Sequence, residues 1–313
     1  MMQPQQGGYL SARFAQSFSE FGNLHHLDNS NGWILERSVP GSGGRDATGL
    51  YPLFCCSDWD ALQEDLDSLP RGLASITVVP DPFGHYTPEL LAKCFQVVRQ
   101  YRKRYIVRLD REPARFVTAH HRKYADKGFA LLEVQRCIEP AAYLDEWVGL
   151  YANVCRKYAV TDLRALSALG FANQLAVPGL TMFRASYRGT PVAIHLWMHM
   201  GDVVYGHLAG HHPQAYRTHA AYSLYWTALQ WFHTRADRID LGSGQSDDDS
   251  DGLSFFKRGW STETLQGWLC GRVLDPVLYD ALLPMPKQSD ANFFPAYRAE
   301  RSLVGYPQQS EAK

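Results

Sequence analysis

The chain has 313 residues, 45% hydrophobic and 20% charged, with a formal net charge of −1. That composition supplies a packed core and excludes global disorder; the near-neutral balance excludes a broad nucleic-acid surface and allows only a local basic patch. The opening MMQPQQGGYLSARF has neither the charged nor the apolar region of a secretory signal, and no apolar run reaches the roughly 18 residues that span a bilayer, so a cytoplasmic protein without membrane insertion is expected.

Between polar termini, strands alternate with helices. Residues 33–39 read as a strand and 57–69 as a helix with leucines at helical spacing. A buried strand is expected at 73–79, stopped by Pro80-Asp81-Pro82. A helix over 87–103 has Thr87 as cap and Pro88 at its first position. A strand at 105–109 follows, then a helix from 120 ended by Gly128, and another strand to 134. Residues 140–157 and 161–174 are amphipathic. Strands at 179–187, 191–200 and 202–210, separated by Arg188-Gly189-Thr190 and Gly201-Asp202, form a meander. Thr218 can cap a helix through about Arg235, and strands at 238–241 and 264–271 close the pattern. This is a mixed α/β (α+β) sheet and not a doubly wound one.

Six cysteines show no C-x-x-C spacing and read as buried, reduced thiols. The doublets His25-His26, His120-His121 and His211-His212 are poor ligand pairs, because neighbours on a strand or helix point apart. Asp247-Asp248-Asp249-Ser250-Asp251-Gly252 fits half of a calcium loop, but its twelfth position is Arg258, a cation where a bidentate glutamate is needed. No metal is expected. No nucleophile elbow, Walker loop, HExxH or dinucleotide fingerprint occurs. The strand ending Leu208-Ala209-Gly210 leads into the helix near Thr218, whose first amides, beside Arg217 and the small Ala220, could receive an anion.

The C-terminal half, about 140–272, resembles the FemAB-related branch of the GNAT acyltransferases. The resemblance is carried by "MFRASYRGTPVAIHLWMHMGDVVYGHLAG", then "HAAYSLYWTALQWFHTRA", "RIDLGSG" and "GLSFFKRGWS", which contain D-x-G and FK-x-x-W; Ser261 stands where the family commonly has Gly. The N-terminal half resembles a partner GNAT-like domain through "HHRKYADKGFALLEV". The resemblance implies two GNAT-like domains in tandem, 9–139 and 140–275, with a tail at 276–313.

It further implies N-acyl transfer to an amine of an envelope, polysaccharide or secondary-metabolite precursor. Lys257 would contact the donor or stabilise the tetrahedral oxyanion. His207, with Tyr205 on the same strand face, could act as base. Arg217, Thr218, His219, Ala220 and Phe256 would bind the donor. Asp240, Ser243, His195, Tyr222 and Trp260 would line the substrate site. GNAT enzymes use acyl-CoA held by R/Q-x-x-G-x-G/A; Arg217-x-x-Ala220-x-Tyr222 keeps the cation and loses both glycines. Fem-type enzymes use aminoacyl-tRNA, so charged tRNA is the alternative donor. A rival of another class is a binding module that keeps the fold and has lost the donor site.

Overall fold

The computed structural model describes residues 7–245, 250–283 and 293–299. Among the described residues there are eleven strands: β1 Asn23–Leu27, β2 Gly32–Ser38, β3 Arg45–Gly49, β4 Leu73–Val78, β5 Val97–Arg108 and β6 Glu133–Cys137, then β7 Leu180–Tyr187, β8 Thr190–Met200, β9 Val203–His211, β10 Arg238–Ser243 and β11 Glu263–Val273. The chain divides into two compact units that interleave in sequence.

The first unit takes residues 1–14, 101–154 and 167–267. Its strands lie in the order β5-β10-β9-β8-β7-β6. β7 through β9 are antiparallel, as the meander pattern predicts, β6 joins β7 antiparallel, and β9 and β10 are parallel. A parallel pair needs a crossover. Here it is made by two helices, Pro213–Arg217 and Ala220–Phe232. The second helix buries Leu224, Ala228, Leu229 and Phe232 against Phe183, Trp197 and Val204 of the sheet.

The second unit takes residues 15–100, 155–166 and 268–313, with strand order β1-β2-β3-β4-β11. Its sheet is also mixed, since β3 and β4 run parallel. Asp46 is buried there and satisfied by Arg37, Arg298 and the Tyr297 hydroxyl, as a buried carboxylate requires. The fold is therefore mixed α/β, as the alternation of elements indicates.

Several local expectations change. The helix expected over 87–103 ends at Cys94, and Val97–Arg108 is one long strand. Its β-branched and aromatic residues favour the extended form, and pairing of Arg104–Arg108 with β10 fixes its C-terminal end. Thr218 does not cap the long helix. Its hydroxyl donates to the carbonyls of Gln214 and Ala215, closing the short helix before it, and His219 in the left-handed region starts the next. Gly128 lies inside the Ala119–Phe129 helix; it does not end it. A side chain at Gly128 would collide with the Ser223 hydroxyl, 2.1 Å from an added Cβ. A helix, Gly252–Arg258, leads into the FK-x-x-W segment and includes Phe256 and Lys257.

Candidate active site

The β9–β10 ladder is short. It pairs Arg238 with Val203, Ile239 with Val204 and Asp240 with Tyr205, and stops. Beyond that point β9 continues to His211 against β8, while β10 turns at a bulge and reaches Ser243 against β5. The two parallel strands therefore part at their C-terminal ends. This is the end of a parallel pair where an open α/β sheet leaves a crevice.

The D-x-G sequence builds one wall of the opening. Asp240 Oδ1 accepts the Gly242 N–H at 2.7 Å. Gly242 sits at φ +79°, a region that disfavours any side chain, and an added Cβ would lie 3.0 Å from Lys257 Nζ. The turn delivers the Ser243 carbonyl to Lys257, whose ammonium donates to it at 2.7 Å. Asp251 caps the Lys257 helix through the N–H groups of Leu253 and Ser254, and its other oxygen accepts from Gln245 N–H and the Ser254 hydroxyl. The remaining acids of that loop, Asp247–Asp249, lie outside the described residues. Among the described residues no three metal-ligating side chains converge.

Beneath Lys257 lies an ion pair. Arg104 Nε meets Asp240 Oδ2 at 2.6 Å, with the Asp240 side chain wholly buried. Lys257 is itself 8% exposed. Burial pushes its pKa down to about 7; Arg104 adds to the fall, while Asp240 and Asp251 oppose it. A lysine that is half protonated at neutral pH can stabilise negative charge or exchange a proton.

An aromatic wall completes this region. Tyr225 packs against Phe256 at 4.9 Å, Trp260 at 5.7 Å and His195 at 5.4 Å between ring centroids. Burial and the Asp240 carboxylate raise the Tyr225 pKa, keeping it a neutral phenol. His195 Nε2 lies 2.8 Å from His211 Nε2, so the two imidazoles share a hydrogen bond that requires at least one to be neutral. Burial and then His211 hold the His195 pKa well below its usual value.

A family model described as an acetyltransferase (GNAT) domain matches residues 92–258, more than half of the chain. The chain belongs to the GNAT acetyltransferase domain family. Among solved structures, FemX shares the fold with a TM-score of 0.62 at 12% identity, covering 87% of this chain and 93% of that one. A C-terminal domain assigned to a lysylphosphatidylglycerol synthetase of Agrobacterium fabrum gives 0.60 at 13% identity, over 88% and 91% of the two chains. L-PGS from Bacillus licheniformis gives 0.54 at 12%, over 97% and 100%. The GNAT fold seen here is thus FemX-like. No curated protein matches the chain.

Against that fold, the residues singled out from the sequence separate into three groups. Lys257, Phe256, Trp260, Asp240, Ser243 and Tyr222 come together on and beside the D-x-G turn. Of these, Trp260 and Asp240 are fully buried and serve as packing and as the anion under Lys257. His195 joins them through Tyr225.

Around the start of the GNAT crossover helix, Thr218 and Ala220 are buried and Arg217 is exposed. The N-cap residue His219 makes no side-chain cap to the helix start among the described residues. Tyr222 and His219 pack with Tyr124 of the Ala119–Phe129 helix, at 5.3 and 4.7 Å.

Tyr205 pairs with Asp240 through the backbone, but the side chains of Tyr205 and His207 make their contacts elsewhere. His207 Nε2 donates to Gln174 Oε1 at 3.1 Å, and its Nδ1 accepts from the Tyr9 hydroxyl at 3.2 Å. Tyr205 packs on Tyr9 at 5.4 Å. Both ring nitrogens of His207 are engaged inside the core, and burial lowers its pKa to about 3. The base expected there is a neutral packing residue.

Sequence reading missed Arg104, Tyr225 and His211 as neighbours of Lys257 or His195. The basic run RKRYIVR held the only signal for Arg104. An open hollow of about 480 Å³, lined by Gly201, Asp202 and His233–Asp237, lies at the far end of the crossover helix. It contains none of these residues.

Proposed function

We propose that this GNAT chain is an N-acyltransferase that moves an acyl group from a thioester donor such as acyl-CoA to an amine of an envelope, polysaccharide or secondary-metabolite precursor. The observation that carries this reading is the Lys257 ammonium held over the D-x-G turn where β9 and β10 part. The donor supplies an activated carbonyl. The uncapped start of the crossover helix and exposed Arg217 suit its diphosphate, while Tyr222, drawn into the ring cluster, replaces the small residue of the usual cradle. The acceptor nitrogen adds to the carbonyl carbon, the carbon–sulfur bond breaks, and the sulfur leaves as thiolate, to take up the proton that the nitrogen gives up. Lys257 stabilises the oxyanion that forms in between. We assign the departing amine proton to His211, the half-buried member of the His195–His211 pair, because His207 is closed off. Such donors are made in the cytoplasm, where we place the reaction; a metal has no step in it.

A second reading keeps the chemistry and changes the donor to aminoacyl-tRNA. It is favoured by seven exposed cations between Lys103 and Lys127 against three exposed acids. A thermal-shift titration separates these readings. Stabilisation by CoA thioesters supports the first, since a ligand that binds only the native state raises its stability. Stabilisation by charged tRNA that fades steeply with salt supports the second. No shift with either leaves a GNAT-fold binding module and overturns both.

A further inference from the structure

His121 belongs to a doublet that reads in the sequence as a poor ligand pair, and it is 1% exposed. Its Nε2–H donates to the Phe256 carbonyl at 2.9 Å, and its Nδ1 accepts from the Thr118 hydroxyl at 2.7 Å. The Thr118 N–H also donates to the Gly259 carbonyl at 3.1 Å. The last carbonyls of a helix have no partner within it. In the Gly252–Arg258 helix the N–H of Trp260, which would continue the ladder to Phe256, bonds to Lys257 O instead. His121 takes the carbonyl so released.

The fit around the ring is close. His121 packs edge-on to Trp260 at 5.0 Å and lies 5.7 Å from Phe256 and 5.2 Å from Tyr222. A Cβ at Gly259 would fall 1.9 Å from the imidazole, so G-W in the FK-x-x-W segment has a steric reason. A seven-residue helix has little stability alone. Something outside it must set the position of Lys257.

We propose that His121 is a positioning residue, acting through the Phe256 carbonyl to fix the helical turn that holds the Lys257 ammonium against Ser243. This rests on the reading of Lys257 as the charge-stabilising group. Thr118 fixes the imidazole tautomer, and burial, with the neighbouring His120 adding to it, keeps the ring neutral with a pKa near 4, so the pin does not release at neutral pH. Lys257 reports on its own seat, because it faces Arg104 from β5, Asp240 from β10 and Asp251 at the helix cap, with Tyr225 nearby on the crossover helix.

The test is the titration of Lys257 in the full chain, read by NMR after reductive ¹³C-methylation and assigned by its loss in Lys257→Met. Wild type should show one lysine titrating near 7. In His121→Leu, which cannot donate to Phe256, that titration should move up by at least one pH unit as the ammonium gains water. His121→Gln places an amide N–H where Nε2–H stood and should restore the wild-type value. If His121→Leu does not fold, Thr118→Val, which removes the hydroxyl that sets the tautomer, should shift the titration in the same direction. A folded His121→Leu with an unmoved Lys257 titration overturns the proposal. Absence of any lysine titrating near 7 in wild type overturns the underlying reading of Lys257 instead.

Discussion

Lys257→Met is expected to flatten the alkaline rise in stability of this protein. The pKa of Lys257 is about 7 when folded and near 10.5 when exposed. Between these values the unfolded chain binds the extra proton, so stability increases with pH there. The contribution is full above about 10.5 and is lost as pH falls to 7. One such group gives a slope of about 1.4 kcal/mol per pH unit, roughly 4–5 kcal/mol across the window. Urea unfolding of both proteins at pH 7, 8 and 9 measures it. The wild type should gain on Lys257→Met by about the stated slope. Parallel curves would show that the ammonium is solvated and its seat incorrectly drawn.

The second large effect concerns Asp240, which carries two bonds at once. It neutralises the Arg104 guanidinium and holds the Gly242 turn. Asp240→Ala removes a buried partner from a buried cation, a change that costs about 3–5 kcal/mol. It also removes an anion that supports the charged form of Lys257, so the lysine pKa should fall further. Asp240→Asn keeps an acceptor for the Gly242 N–H and should lose less stability than Asp240→Ala while still lowering that pKa. Unfolding curves with the lysine titration check both. Equal stability of wild type and Asp240→Ala would mean that D-x-G is a surface turn.

Much of this arrangement could be read from residues alone, and the parts that could not share a cause. The order β9, crossover helix, β10 showed in periodicity and turn residues, and Lys257 came from the family resemblance that D-x-G and FK-x-x-W carry. Only the C-terminal end of the strand Val97–Arg108 showed, as 105–109; the rest did not, because Phe95, Val98 and Tyr101 suit a helix face as well as a strand. The Gly252–Arg258 helix was hidden by its brevity and by the glycine and acids before it. Its caps, Asp251 and His121, are one local and one 135 residues distant. His207 looked like an available base because its partners, Tyr9 and Gln174, are 198 and 33 residues away. Hydrogen bonds of that span leave no pattern in a sequence.

The most direct test of the central claim is transfer itself. A labelled acyl donor of the class that stabilises the protein is mixed with a pool of amine acceptors, and amide formation is followed by mass spectrometry for wild type, Lys257→Ala and Lys257→Arg. If Lys257 stabilises charge that exists only in the transition state, Lys257→Ala lowers kcat and kcat/KM together by roughly 10²–10³. Lys257→Arg, with a broad planar cation in a tight seat, should fall between the two. A Lys257→Ala protein that forms amide at the wild-type rate would contradict the account.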